Sequence, residues 1–138
     1  MPAAQVLDSH ALLRFLRDEP GAECVAAILE KAGSRDQPVH MTEVNYAEVQ
    51  YIVRRKDGDA AWTMIAEELR AAPIEFHPAT RSLADLAAGF KARHRLSLAD
   101  AFAAALAKEK KAELVTGDSE FKALEKEIKI SWLQGSLR

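Results

Sequence analysis

Cysteine is nearly absent. Cys24 is the one among 138 residues, so no internal disulfide can form, which fits a reducing cytosol. Long apolar runs are missing too. The longest, Ala101 to Ala107, falls well short of the ~18 residues a membrane span needs. No basic region followed by an apolar block stands near the start, so no signal peptide is expected and the cytoplasm is the expected location. Neither sign of charge prevails: 19 Lys and Arg against 21 Asp and Glu give a formal net charge of −2. The basic surplus that advertises nucleic-acid binding is therefore missing. Internal repeats, low-complexity linkers and a G-x-G-x-x-G run after the first apolar segment are also absent, the last excluding a dinucleotide site of the usual kind.

What remains is ordinary globular material. Hydrophobic residues make up 49% and charged residues 29%, which excludes general disorder. The length suits one core, and a single domain over 1–138 is expected.

The chain alternates short apolar segments with amphipathic ones. Gln5 to Leu7 reads as a strand running into a helix, Ser9 to Arg17, closed by Glu19-Pro20-Gly21. A second helix is expected over roughly Ala22 to Lys31, with Val25, Ile28 and Leu29 on one face. Val39 to Met41 is the second strand, and Thr42 has the side chain to cap a helix reaching about Arg55. Another helix follows from Ala60 to about Ala71, and a strand lies between Pro73 and Pro78. Helices are expected from Thr80 to about Arg93 and from Leu98 to Lys111, the second capped by Ser97. Glu113 to Thr116 is a fourth strand, Glu120 to Glu127 a short helix, and the segment Ile128 to Ile130 with Trp132 a final strand. This order gives an α/β domain whose mainly parallel sheet is covered on both faces.

Four acidic residues stand out. Asp8 lies where the first strand becomes a helix, the end of a parallel sheet at which ligands gather, although helix capping alone would also explain it. Glu48 shares a helical face with Val44, Tyr51 and Ile52, and an unpaired carboxylate buried there would cost several kcal/mol. The other possibility is an inner face made by Tyr46, Val49 and Val53, or a buried Glu–Arg pair. Asp100 completes an S-x-x-D capping box with Ser97 and shares its face with Ala103, Ala104 and Ala107, residues small enough to let another backbone approach. Asp118, in Thr116-Gly117-Asp118-Ser119, repeats the strand-end placement of Asp8. If the four meet, their repulsion demands a divalent cation. An all-oxygen ligand set points to Mg²⁺ or Mn²⁺ rather than zinc, and to phosphodiester hydrolysis.

Four segments carry a resemblance: Val6-Leu7-Asp8-Ser9-His10-Ala11-Leu12-Leu13, Asn45-Tyr46-Ala47-Glu48-Val49, Leu96-Ser97-Leu98-Ala99-Asp100-Ala101 and Val115-Thr116-Gly117-Asp118-Ser119-Glu120-Phe121. In this order and at these spacings the chain resembles a PIN domain, most closely the VapC-type ribonuclease toxins of bacterial toxin–antitoxin pairs. The resemblance implies a three-layer α/β/α sandwich with a central sheet of about five strands. It implies a Mg²⁺- or Mn²⁺-dependent endoribonuclease with Asp8, Glu48, Asp100 and Asp118 as its catalytic and metal-binding acids. Ser9 and Thr116 match the hydroxyl positions that support them. Many relatives have a second aspartate where this chain has Glu120; one metal is expected and a second stays open. The resemblance also implies a homodimer and a VapB-type antitoxin that inserts a basic side chain into the acidic pocket. RNA needs some positive surface, for which Arg14, Arg54, Arg55, Arg93, Arg95 and Lys122 are candidates. Solvated helix ends would equally explain the clusters at residues 54–56 and 91–95.

Other readings fit less well. A haloacid-dehalogenase-type phosphotransferase would want an aspartate at position 10, which is His10. A receiver domain would want an acidic pair after the first strand, and Asp8 has no acidic neighbour. A PIN-like module that binds RNA or a partner with little catalysis is the alternative from another class. The histidines His10, His40, His77 and His94 show no metal-ligand spacing and read as structural or exposed, with His10 of more interest beside Asp8. Cys24 and the Leu83-Leu86-Phe90 stripe read as core, and Trp62 and Trp132 as core or interface anchors.

Overall fold

The computed structural model describes residues 3–133; residues 1–2 and 134–138 of the expected domain lie outside the described residues. Its centre is β1 (Gln5–Leu7), flanked by β2 (Val39–Thr42) and β4 (Glu113–Thr116). The edges are β3 (Ile74–His77) and β5 (Ile130–Trp132), giving the order β3-β2-β1-β4-β5 with every pairing parallel. A parallel sheet buried on both faces needs apolar side chains in both directions. β1 supplies Val6 to one core and Leu7 to the other, and β4 does the same with Leu114 and Val115.

One layer is built on the Leu7 and Met41 side by α1 (Ser9–Leu16), α2 (Ala22–Ser34), α3 (Glu43–Asp57) and α4 (Asp59–Ala71). Val25 and Leu29 of α2, Val49 and Val53 of α3, and Trp62 and Leu69 of α4 fill it. The opposite layer is α5 (Arg81–Arg93) against α6 (Leu98–Lys110), with Leu83, Ala87 and Phe90 meeting Phe102 and Leu106. Every residue of α6 from Ala101 to Ala107 is buried. The alanines therefore let α6 lie close to its neighbours, and α6 contacts α3 and α5 as well as β1 and β2.

The expected helices and strands are present with shifts at their ends, with one exception. Glu120 to Glu127 is not an α-helix: a six-residue 3-10 helix spans Ser119–Leu124 instead, started by Asp118 and anchored by buried Phe121 and Leu124. Thr42 ends β2 and also caps α3, its hydroxyl accepting from Asn45 N–H at 2.9 Å. That dual use turns the chain from strand to helix without a loop.

Candidate metal centre

The parallel sheet brings its carboxyl ends to one edge, and the candidate acids are placed from there. Asp8 follows β1 and is fully buried. It caps α1 itself, its Oδ1 accepting from Ala11 N–H at 2.7 Å, while its Oδ2 accepts from the Thr116 hydroxyl at 2.5 Å. The capping role does not pass to Ser9, whose hydroxyl donates instead to the Asn45 carbonyl at 3.3 Å. Thr116, at the end of β4, also accepts from Asp118 N–H at 3.0 Å. One hydroxyl thus ties the two strand-end aspartates together.

Asp118 starts the 3-10 helix by accepting from Glu120 N–H at 2.9 Å. That tight turn carries Glu120 back toward the site. Asp100 stands in the first turn of α6, its N–H donating to the Ser97 hydroxyl at 3.1 Å as the S-x-x-D spacing predicts. Asp100, Asp118 and Glu120 each offer a carboxylate oxygen within 4.8 Å of the others. Oxygens on one Mg²⁺ at about 2.1 Å lie up to about 4.2 Å apart, so modest side-chain turns bring these three to a common ion.

Glu48 is half-buried rather than central in an apolar face. The inner face of α3 is the Asn45, Val49 and Val53 side, and Tyr51, on the stripe with Glu48, is 47% exposed. Glu48 still points its charge toward the cluster, since it acts on Asp100.

The electrostatics agree with a missing countercharge. Burial pushes the Asp8 carboxyl up to about 8; the Thr116 and Ala11 hydrogen bonds pull it back, and Asp100 and Asp118 raise it further. Asp100 is pushed up to about 7, first by burial and then by Asp118, with Glu48 and Glu120 adding to it and Ser97 opposing. Among the described residues, none of the five carboxylates has an ion pair with Lys or Arg. Carboxylates crowded in this way need a divalent cation to ionise together, and a hard oxygen-binding ion fits an all-carboxylate set.

Asn45 is the site residue that motif reading did not single out. It is fully buried, and its Nδ2 donates to Ser9 Oγ at 3.0 Å and to the Ala99 carbonyl at 3.1 Å. Its Oδ1 accepts from the Thr42 hydroxyl at 2.5 Å. One amide therefore joins α1, α3 and the start of α6, the three elements that carry Asp8, Glu48 and Asp100. Its signal was present in the sequence, as a polar side chain one helical turn from Val49 on the apolar face.

The basic candidates are spread out. Arg14 is half-buried, and its Nε donates to His10 Nε2 at 3.2 Å. His10 is held below its ordinary imidazole range by burial and by Arg14, while Asp118 pulls it the other way. The pair borders a cleft of about 250 Å³ with Leu13, Arg17 and Lys56. Arg54 pairs with Asp59 at 2.8 Å, and Arg93 with Glu127 at 2.8 Å, so carboxylates outside the cluster hold both. Arg55 lies over the Tyr51 ring, and Arg95 and Lys122 are exposed.

An all-parallel sheet with helices on both faces and carboxylates gathered at its carboxyl edge defines an α/β domain with a candidate cation site. The chain belongs to the PIN domain family, whose model matches residues 6–127. No curated protein matches it in sequence. Among solved structures, DNA-bound VapBC from Salmonella typhimurium superposes with a TM-score of 0.75 at 14% identity, covering 96% of this chain and 99% of that one. VapBC2 from Rickettsia felis, bound to a DNA fragment from its promoter, gives 0.73 at 15% identity over 93% and 97%. Mycobacterium tuberculosis VapC20, a sarcin-ricin loop cleaving toxin, gives 0.70 at 18% identity over 87% and 94%. At these identities the likeness is one of fold. Among the described residues, no helix is long and apolar enough to cross a membrane.

Proposed function

We propose that this chain is a single-domain, Mg²⁺- or Mn²⁺-dependent endoribonuclease, the toxin of a toxin–antitoxin pair. The observation that carries the reading is the convergence of Asp8, Asp100, Asp118 and Glu120, with Glu48 beside them, without a Lys or Arg ion pair among the described residues. Asp100, Asp118 and Glu120 are the assigned ligands, and Glu48 completes the negative wall. Asp8 is buried and doubly hydrogen-bonded, so it holds the centre of the cluster from below. A divalent cation bound there supplies Lewis-acid stabilisation of a phosphoryl oxygen and acidifies water.

The chain's own residues set the geometry. Thr116 fixes Asp8 against Asp118, and the Ser9–Asn45–Thr42 network fixes α3 and α6 around them. Arg14 and His10 lie on the Asp118 side, where a cation can meet the RNA backbone; Arg55, Arg95 and Lys122 give more distant positive charge.

The partners follow from the same reading. A VapB-type antitoxin that places a basic side chain among the carboxylates supplies the countercharge the pocket lacks, and the toxin acts as a homodimer in the cytoplasm. The VapBC complexes among the structural matches support the antitoxin partner.

Asp100→Asn should lower RNA cleavage in Mg²⁺ by about 100-fold or more, since even partners one shell out from a metal cost 10–100-fold when removed. EDTA should silence the unaltered protein and Mn²⁺ restore it. Cleavage that survives both EDTA and Asp100→Asn would sink the assignment. RNA binding without cleavage under any metal would favour the binding module. Light scattering of the isolated chain reads the dimer.

A further inference from the structure

A second group of metal-ligand side chains lies away from the acidic cluster, where the β2–β3 register assembles it. His40 stands beside Glu75 and Thr42 beside His77, so His40, Glu75 and His77 emerge on one face of the two strands. Their donor atoms form a closed triangle. His40 Nδ1 is 2.9 Å from His77 Nε2 and 3.1 Å from Glu75 Oε2, and His77 Nε2 is 3.3 Å from the same oxygen.

Hydrogen bonds alone satisfy this triangle poorly. Three contacts join three atoms, and each needs a proton aimed along it. A proton on His40 Nδ1 can aim squarely at His77 or at Glu75, not at both. A proton on each nitrogen would set two N–H groups against each other at 2.9 Å. One cation at the centre satisfies all three donors together. Ligands held at about 2.0–2.2 Å from one tetrahedral zinc are about 3.3–3.6 Å apart, so the triangle has only to open by a few tenths of an ångström to seat the ion.

We propose that His40, Glu75 and His77 form a three-ligand site for a divalent transition metal, best matched by Zn²⁺, which clamps edge strand β3 to β2. Two imidazoles and one carboxylate are a ligand set zinc accepts with a position left for water, whereas Mg²⁺ prefers oxygen donors. The metal can reach it from solvent: the His40 and His77 side chains are 16% and 17% exposed, and Glu75 is 54% exposed. Glu75 gives mobility on entry, and the strand-borne histidines give a fixed pair. The site takes none of its ligands from the carboxylate cluster and does not rest on the nuclease reading.

Calorimetric titration of the metal-free full chain with Zn²⁺ tests it, with the absorption spectrum of added Co²⁺ reporting nitrogen ligation. One Zn²⁺ per chain is expected, together with a rise in Tm. His40→Gln and His77→Gln should each weaken binding at least 10-fold, and the Asp100→Asn, Asp118→Asn double variant should retain it. Glu75→Gln, a change at an exposed side chain, should weaken binding without altering the metal-free Tm, so it decides the matter if a histidine variant fails to fold. Absence of a stoichiometric Zn²⁺ would overturn the proposal. So would Zn²⁺ binding that the double variant abolishes, or that Glu75→Gln and the histidine variants leave unchanged. RNA cleavage is not among these readouts, so loss of this site and loss of the nuclease reading are separable.

Discussion

Asp8 combines three duties that usually fall to different residues. It caps α1, closes a hydrogen bond to the neighbouring strand through Thr116, and stands buried beside the charge of Asp100 and Asp118. Thr116→Val keeps the shape and deletes the hydroxyl, which frees both Asp8 and Asp118. Cleavage in Mg²⁺ should fall about 10–100-fold, the usual cost of losing a partner that orients a ligand. The same acids make stability depend on pH. Asp8 and Asp100 titrate near 8 and 7 in the folded chain, against about 3.9 for an unfolded aspartate. Between those values the folded state binds more protons than the unfolded one, so their contribution is full below about pH 4 and is lost as pH rises toward 8. In EDTA, the Tm should therefore fall from about pH 5 to pH 8, and Mn²⁺ should raise it most at the alkaline end. A metal-free Tm that climbs over this range would contradict the raised Asp8 and Asp100 carboxyls. Asn45→Ala removes an amide with three side-chain hydrogen bonds and leaves Ser9 and Thr42 short of a partner. Urea unfolding should show a loss of about 1–3 kcal/mol for each group left unsatisfied.

At the scale of elements, periodicity reveals more than placement. The helix–strand order was readable because apolar residues such as Val25 and Leu29, or Leu83 and Phe90, recur at helical spacing. The caps at Thr42 and Ser97 were readable for a local reason, each accepting from an N–H three residues on, and Thr80, expected inside its helix, caps α5 in the same way. Glu48 was harder, because α3 is apolar on two sides and only packing chooses between them. Val49 and Val53 face the core and leave Glu48 at the margin. The segment after Asp118 has helical composition, yet it winds as a 3-10 helix, on which Phe121 and Leu124 eclipse and both enter the core. That winding draws Glu120 toward Asp100, a nearness no spacing rule announces. His40 and His77 are further still from local reading, since only strand register joins them. Leu12, on α1 between sheet and α3, tests the packing of this layer: Leu12→Ala should cost about 2–5 kcal/mol in urea.

For the whole molecule, the sheet order governs what the site requires. β1 is the first strand in the chain and the middle strand of the sheet, and one of its two neighbours is β4, at residues 113–116. The bond between Thr116 and Asp8 spans 108 positions of sequence. A ribosome that has made residues up to Asp100 has already released Asp8 and Glu48 toward solvent, but neither β4, the second strand to flank β1, nor Asp118 yet exists. Such distant pairings form late, after the entropy of closing a long loop has been met. The growing chain therefore carries Asp8, Glu48 and Asp100 before the strand and turn that gather them with Asp118 exist. On the proposed ribonuclease reading, the centre that would cut RNA cannot close on the message being read before β4 and Asp118 have been made.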